Sequence, residues 1–498
     1  MRADLDVVLL AGAAVVLVGV LGVRLGQRVG VPGLLLFLAL GMLLGSSGLG
    51  VRFSDAALSR DLGLTALVVI LAEGGLSTRL STVRPVLGVG AVLGTVGVAV
   101  SVAVTAVAVR WLVVDDWTTA VLLAAAVSST DAAAVFSVLR RLRLRSRVSA
   151  ILEAESGVND APSVVIVTLV VSGEWANDPA WAVLLLVLYE LLLGAVVGYA
   201  VGRAGRWVLP RVALPAAGLY PLASLAMIVV AYAVAALAHA SGFLAVYVAA
   251  LLLGSSRLPH RRAVLGFAEG LAWLAQIGLF VMLGLLSEPS RLPAVVLPAL
   301  LAGVVLTFVA RPLSVLLSTT PFGVPWRTQA FLSVAGLRGA VPIVLATLPL
   351  AAGTPGAERV FDMTFVLVLV FTAVQAPPLP WFSRQLRVAA PTEADELTVD
   401  VAPLDEVNAV LLDVAVPPRS RLAGEYVDDL RLPGGAQVSM VVRAGETLVP
   451  QPATRLQVGD RLVVVTTAAA RSSVEQRLRA VSRRGVLAGW YGERGERE

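Results

Sequence analysis

Ser128-Ser129-Thr130-Asp131-Ala132-Ala133-Ala134-Val135-Phe136 and Glu155-Ser156-Gly157-Val158-Asn159-Asp160 place hydroxyls, an amide and three carboxylates inside stretches that are otherwise apolar. A carboxylate held in hydrocarbon costs several kcal/mol, so a chain that keeps one there normally uses it on an ion or proton route. Working outward from these stretches, 57% of the 498 residues are hydrophobic and 15% charged, the composition of a polytopic membrane protein rather than of one large soluble core. Apolar runs of membrane length give about thirteen candidate spans between residues 6 and 380, the fifth and sixth of which contain the two polar stretches. The run from Val7 to Val23 lacks a basic leader and reads as the first span rather than as a signal peptide.

Charge sets the expected topology. One set of alternate loops holds nineteen arginines, among them Arg24, Arg79, Arg84, the cluster at 140–147, Arg203, Arg311 and Arg384, while the other set holds six. The positive-inside rule puts the richer set in the cytoplasm, with the N-terminus outside and the C-terminus inside. All 39 basic residues are arginine. Without lysine there is no phosphate-binding P-loop lysine, and without cysteine there is no thiolate metal site or cysteine nucleophile. The net charge of +5 follows the membrane pattern and is no sign of a nucleic-acid partner. Membrane lipid is the expected surrounding.

Composition changes after Ala389. Residues 391–470 hold twelve acids and six arginines with no membrane-length run, so a small α+β cytoplasmic module is expected. Its β-type runs lie at 410–416, 437–442, 447–449 and 461–467, with a helical stretch at 422–430. The domain plan is thus a membrane domain over 1–388, a regulatory domain over 400–470, and an amphipathic helix with a frayed tail over 471–498. No Gly-x-Gly-x-x-Gly occurs in the module, which excludes a dinucleotide fingerprint.

The chemistry rests on the buried polar groups. Asp160 lies about twelve residues into the sixth span, ~18 Å from the surface at ~1.5 Å per residue, and so near the midplane. Ser156 is one turn earlier on the same face, while Glu155 and Asn159 form a second pair on the neighbouring face. Oxygen donors suit a hard monovalent cation, and a proton can compete for a desolvated carboxylate. Small and hydroxyl residues around Thr130 and Asp131 can satisfy backbone groups freed by a broken helix. The twelfth span carries a matching interruption, Gly336-Leu337-Arg338-Gly339-Ala340-Val341-Pro342. Two interrupted spans in separate halves point to inverted repeats with crossed discontinuous helices. Arg338 then needs a compensating acid or helix end, with Glu155, Asp131 and Glu73 available. Glu73, near the cytoplasmic end of the third span, reads either as a funnel residue or as the partner of an arginine.

The motifs at 128–136, 155–160 and 336–346 closely resemble those of the monovalent cation:proton antiporter-1 family, in particular its bacterial potassium/proton branch, and the resemblance covers the whole membrane region. The soluble module resembles the C-terminal half of the regulator-of-potassium-conductance module. The resemblance implies an all-α polytopic membrane fold, a homodimer, and a core domain that moves against a dimer domain. It implies that Asp160 binds cation and proton, with Asn159 marking electroneutral members. Thr130 and Ser156 look like cation ligands, Asp131 like the unwound-helix residue beside the site, and Glu155 with Arg338 like a stabilising ion pair. Pro162 stands as a departure that could kink the sixth helix. The expected activity is exchange of K⁺ for H⁺, with Na⁺ as the alternative cation; the cytoplasmic module would gate it through a nucleotide or by pairing between protomers. No cofactor, no resident metal and no enzymatic step is expected. A potassium channel would need a Thr-Val-Gly-Tyr-Gly-like filter, which is missing, and a membrane-anchored sensor would not need Asp131, Asp160 and Arg338 in its spans.

Overall fold

The structure, a computed structural model, describes residues 5–390 and 398–484 apart from 30–32, 47, 52, 132–133, 136–137, 139–143, 174, 176–178, 257, 405–408, 419 and 468. Part of the arginine cluster (140, 141, 143) and the tail from 485 onward therefore lie outside the described residues. The chain divides into a compact unit ending at Ala390 and a second beginning at Pro391.

The first unit is helical. Its elements are α1 (Leu5–Val29), α2 (Gly33–Leu44), α3 (Ala56–Ser77), α4 (Leu80–Leu112), α5 (Trp117–Ser128), α6 (Ser146–Ser172), α7 (Ala180–Val208) and α8 (Leu219–Leu237). They continue with α9 (Gly242–Gly254), α10 (Arg261–Leu286), α11 (Leu292–Phe322), α12 (Trp326–Val334), α13 (Ala340–Ala351), α14 (Ala357–Gln375) and α15 (Leu379–Gln385). Helices fall in each of the expected spans, but among the described residues six are by themselves long and apolar enough to cross a bilayer. They become seven if α14 and α15, bent by 50° at their junction, count as one. Of the remainder, α3 is long enough at 22 residues but carries Arg60, Asp61 and Glu73, and α12 and α13 are short because their span is broken in its middle.

Contacts sort these helices into two bundles. In one, α9 packs against α3, α7 and α8, and α10 packs against α2 and α3. In the other, α5 and α6 pack against α4 and α13, and α14 packs against α11 and α13. The bundles meet chiefly where α3 crosses α13 and where α9 crosses α6. The first is called the scaffold bundle below and the second the core bundle. Exposed leucine, valine and aromatic side chains run along α1, α7 and α11, as a lipid-facing surface requires.

Two local rules shape the core bundle. Asp116 caps α5 by accepting from the Thr119 amide at 2.6 Å. The helix then stops at Ser128, because Ser129 is extended at φ −69°, ψ 149°. Within α4 and α11, residues Leu93–Gly97 and Leu306–Ala310 form wide π turns, and the Ser314 hydroxyl bridges the two helices by donating to the Gly97 carbonyl at 2.8 Å. Helix α6 runs through Pro162 as one element.

The second unit is a five-stranded antiparallel sheet in the order β1-β2-β5-β3-β4, covered by α16 (Arg471–Arg484). Its strands are β1 (Thr398–Leu404), β2 (Ala409–Ala415), β3 (Gln437–Arg443), β4 (Glu446–Leu448) and β5 (Arg461–Thr467). Leu412, Val414, Leu462 and Val464 alternate inward and close a core with Val474, Leu478 and Val481 of α16. Asp460 accepts two hydrogen bonds from Arg443 and one from the Gln457 amide, each 2.8–2.9 Å. Burial by itself would raise the Asp460 carboxyl; the Arg443 and Gln457 donors and the Arg443 charge outweigh it and hold the group below the usual aspartate range.

The helical stretch expected at 422–430 is not there. Only Asp428–Leu430 forms a short 3₁₀ turn. Gly424 sits at φ +98°, a conformation no helix contains. The segment's amides and carbonyls are spent on a neighbouring loop instead: Gly424 N–H donates to Leu456 O at 2.8 Å, Val427 N–H to Thr454 O at 3.0 Å, and Leu456 N–H to Glu425 O at 2.9 Å. Tertiary pairing has overridden the local pattern.

Candidate ion site at the crossed helix breaks

The two interruptions meet. Residues 129–131 after α5 and 335–339 before α13 are both non-helical, and the Asp131 amide donates to the Leu337 carbonyl at 2.8 Å. Each break supplies a charge to the other. Arg338, 2% exposed, donates from Nε to the Val127 carbonyl in the last turn of α5 at 3.4 Å, and from Nη1 to Gly336 O. A cation thus sits at the C-terminal end of one half-helix, where unsatisfied carbonyls concentrate negative potential. Asp131 lies against Gly339 at the N-terminal end of α13, so close that a Cβ on Gly339 would overlap its carboxylate, and it accepts from the Ala134 amide at 3.2 Å. The acid therefore faces the positive end of the other half-helix. Thr372 of α14 holds the second break in place by donating to Arg338 O at 2.8 Å.

Helix α6 brings the remaining polar residues beside this crossing. Asn159 donates from Nδ2 to the hydroxyl and the carbonyl of Thr130 at 2.7 and 3.1 Å, and Thr130 in turn donates to Glu155 Oε1 at 3.1 Å. Asn159 thereby ties α6 to the break. Asp160, 6% exposed, has the Asp131 carboxylate and the Ser129 hydroxyl as polar neighbours. Three buried oxygens around it have no hydrogen-bond partner among the described residues: Asp160 Oδ1, Asn159 Oδ1 and Ser129 Oγ. Buried polar atoms without partners are rare, and three that share one locality form a place where a cation or a proton gains what the protein withholds.

The expected pair between Glu155 and Arg338 is not formed. Glu155 is paired with Arg311, which grips it through Nη1 to Oε1 and through Nη2 to Oε2 at 3.0 Å, and also donates to Leu332 O at 3.2 Å. Both side chains are at most 4% exposed. Arg311 follows directly on the π turn of α11 and stands well inside that helix rather than in a cytoplasmic loop. Gly336 makes room for it, since a Cβ there would lie 2.9 Å from Arg311 Nε. Arg338 is instead satisfied by helix-end carbonyls.

Of the other expected residues, Ser156 is half-buried one turn before Asp160. The Thr130 hydroxyl is committed to Asn159 and Glu155, so Ser129, which the sequence did not single out, is the hydroxyl beside Asp160 that makes no other hydrogen bond among the described residues. Glu73 is half-buried on α3 and interacts with the charge of Glu269 on α10; it takes no part in the hydrogen-bond chain from Asn159 to Arg311.

Residues 13–385 match the transmembrane sodium/hydrogen exchanger family. The chain belongs to that family. Residues 411–479 of this exchanger match the TrkA-C domain, which coincides with the β2-to-α16 module. It is 38% identical over 457 residues, 90% of this chain and 79% of the relative, to the K⁺/H⁺ antiporter NhaP of Alkalimonas amylolytica. It is 36% identical over 464 residues, 92% of this chain and 80% of the relative, to the K⁺/H⁺ antiporter NhaP2 of Shewanella sp. strain ANA-3. Among solved structures, the sodium proton antiporter MjNhaP1 of Methanocaldococcus jannaschii superposes with a TM-score of 0.66 at 20% identity, covering 77% of this chain and 99% of the other, and so shares the fold. The exchanger is thus an integral membrane protein with an antiporter fold and a small C-terminal antiparallel sheet domain.

Proposed function

We propose that this exchanger carries K⁺ one way and H⁺ the other across the cytoplasmic membrane, one for one, with both ions competing for Asp160. The observation that carries the reading is the buried Asp160 carboxylate, with an oxygen that has no hydrogen-bond partner among the described residues, set at the crossing of two helix breaks whose own charges are already compensated. Asp131 and Arg338 compensate the half-helix ends, Glu155 and Arg311 pair, and Asp160 is left as the group whose charge an arriving ion must cancel. Asp160, Asn159 and Ser129 offer oxygens to the cation, and Ser156 lies one turn away on the same helix face. Asn159 also fixes α6 to the break, so that ligand geometry and helix register are set together. With the site filled by either ion the core bundle moves against the scaffold bundle; with the site empty it does not, and this couples the two fluxes.

The protein works as a homodimer, with its N-terminus outside and its C-terminal domain in the cytoplasm, where that domain gates the movement through a nucleotide or by pairing with its copy. A reading with Na⁺ as the cation is favoured by one observation, the shared fold with an antiporter named for sodium. Potassium is preferred because relatives named K⁺/H⁺ antiporters match nine-tenths of the chain. Reconstituted vesicles holding a pH-sensitive dye separate the cases. Addition of K⁺ should relax an imposed proton gradient more than Na⁺ does, and Asp160→Asn should abolish the response to both. No response to either ion, or an unchanged response in Asp160→Asn, would sink the proposal.

A further inference from the structure

Tyr247 belongs to α9 of the scaffold bundle, yet its ring lies on the backbone of α6 in the core bundle. It is 4% exposed, and a Cβ added at Gly157 would overlap the ring atoms outright. No residue larger than glycine fits there while the ring stays in place. The Tyr247 hydroxyl donates to the Glu153 carbonyl at 3.4 Å, one turn before the notch. On its own side the tyrosine is held rigidly: its carbonyl lies 3.0 Å from where a Cβ on Gly75 of α3 would stand, so α3 and α9 touch at the backbone at this level. Glu153, Gly157 and Asp160 fall within two turns on one face of α6, and the notch is three residues, ~4.5 Å along the axis, from Asp160. The ring is thus a peg on the scaffold seated in a hole on the core, next to the ion site and at one of the two main crossings of the bundles.

We propose that Tyr247 is a positioning residue for the exchange, a detent that fixes the register of the core bundle against the scaffold bundle in this conformation and must leave the Gly157 notch for the core to move. Packed contacts of this kind have discrete rather than continuous solutions, which is what a two-state displacement needs. This inference rests on the exchange proposed above for its purpose, although the contact itself can be tested without transport.

The chain has no cysteine, so a single Glu153→Cys in the full-length protein is a clean reporter. Its rate of modification by a membrane-impermeant maleimide, measured in oriented vesicles, reads the exposure of that face of α6. In this background Gly157→Ala should change the rate at least about five-fold, the shift in population that an overpacked contact produces, and should lower the maximal exchange rate more than the apparent cation KM. Adding Tyr247→Ala to Gly157→Ala should return both quantities toward the parent. Tyr247→Phe, which keeps the ring, should stay near the parent. A parent-like rate in Gly157→Ala, or a Gly157→Ala defect that Tyr247→Ala leaves untouched, overturns the proposal. If Gly157→Ala does not assemble, Tyr247→Ala alone must still alter the modification rate, and an unaltered rate overturns the detent. A parent protein that exchanges neither K⁺ nor Na⁺ would defeat the transport reading, while the modification rates would still decide the notch.

Discussion

Removing Arg311 should damage this protein more than the loss of a surface arginine ever could, and the size of the effect follows from its surroundings. Glu155 receives two charge-assisted hydrogen bonds from Arg311 and, among the described residues, one more from the Thr130 hydroxyl. Arg311→Gln keeps some hydrogen-bonding capacity but leaves a carboxylate with 2% of its side chain exposed without a cation. Breaking a buried pair from one side costs about 3–5 kcal/mol, and the Leu332 carbonyl loses a donor as well, about 1 kcal/mol more. Glu155→Gln should cost less, because Arg311 keeps Leu332 O. The double variant Glu155→Gln with Arg311→Gln removes both charges and should recover part of the loss, with an interaction energy of about 1–3 kcal/mol. Unfolding of the purified protein by added denaturing detergent measures each corner of the cycle. The companion cycle pairing Glu155→Gln with Arg338→Gln should show a clearly smaller coupling, since Arg338 is held by the Val127 and Gly336 carbonyls. Additive losses at 155 and 311, together with strong coupling between 155 and 338, would refute the assignment and restore the pair expected from the motifs.

Other outcomes follow from the same geometry. Gly339→Ala, whose new methyl would enter the space of the Asp131 carboxylate, should cost about 1–3 kcal/mol and depress exchange, measured by folded yield and vesicle transport. Asn159→Ala removes the link between α6 and Thr130 and should lower the maximal exchange rate at least about ten-fold, with the protein still folded; a parent-like rate would remove Asn159 from the site. In the C-terminal domain, Asp460 is held below the usual aspartate range, so its contribution to stability is fully present above about pH 4 and is lost as pH falls through its lower folded value. The melting temperature of a 391–498 fragment should therefore drop on acidification below about pH 4, while Asp460→Asn should start about 2–3 kcal/mol less stable and vary less with pH over that window.

The broken helices were legible because their cause is local. Gly336, Gly339 and Pro342 oppose helix, and hydroxyls at 128–130 can serve freed backbone groups, so periodicity and residue type sufficed. Glu155's partner was not legible in the same way. Arg311 is followed by a proline and looks like the end of a span, and only the apolar run continuing to Leu317 hints that the helix carries on past it. Which of two buried arginines reaches one glutamate is a matter of helix phase, and the π turn before Arg311 alters that phase by an amount no regular period predicts. Ser129 and Thr130 are adjacent hydroxyls of equal promise in the sequence; an extended backbone turns one toward Glu155 and Asn159 and leaves the other beside Asp160. In the C-terminal domain the strands followed their alternation, while 422–430 lost its helix to pairing with a loop thirty residues later.

The reciprocal placement of Asp131 and Arg338 bears on how the exchanger meets the membrane voltage. Together with Glu155 and Arg311 they sum to zero, so in the exchange proposed here Asp160 with its bound ion completes a neutral group. Moving one elementary charge through the membrane field takes about 2.3 kcal/mol per 100 mV, and this arrangement removes that electrical work from both directions of the cycle. Arg338→Gln would leave the loaded group with one uncompensated negative charge, so each crossing of the core bundle would then feel the voltage, although a complete one-for-one cycle would still move no net charge.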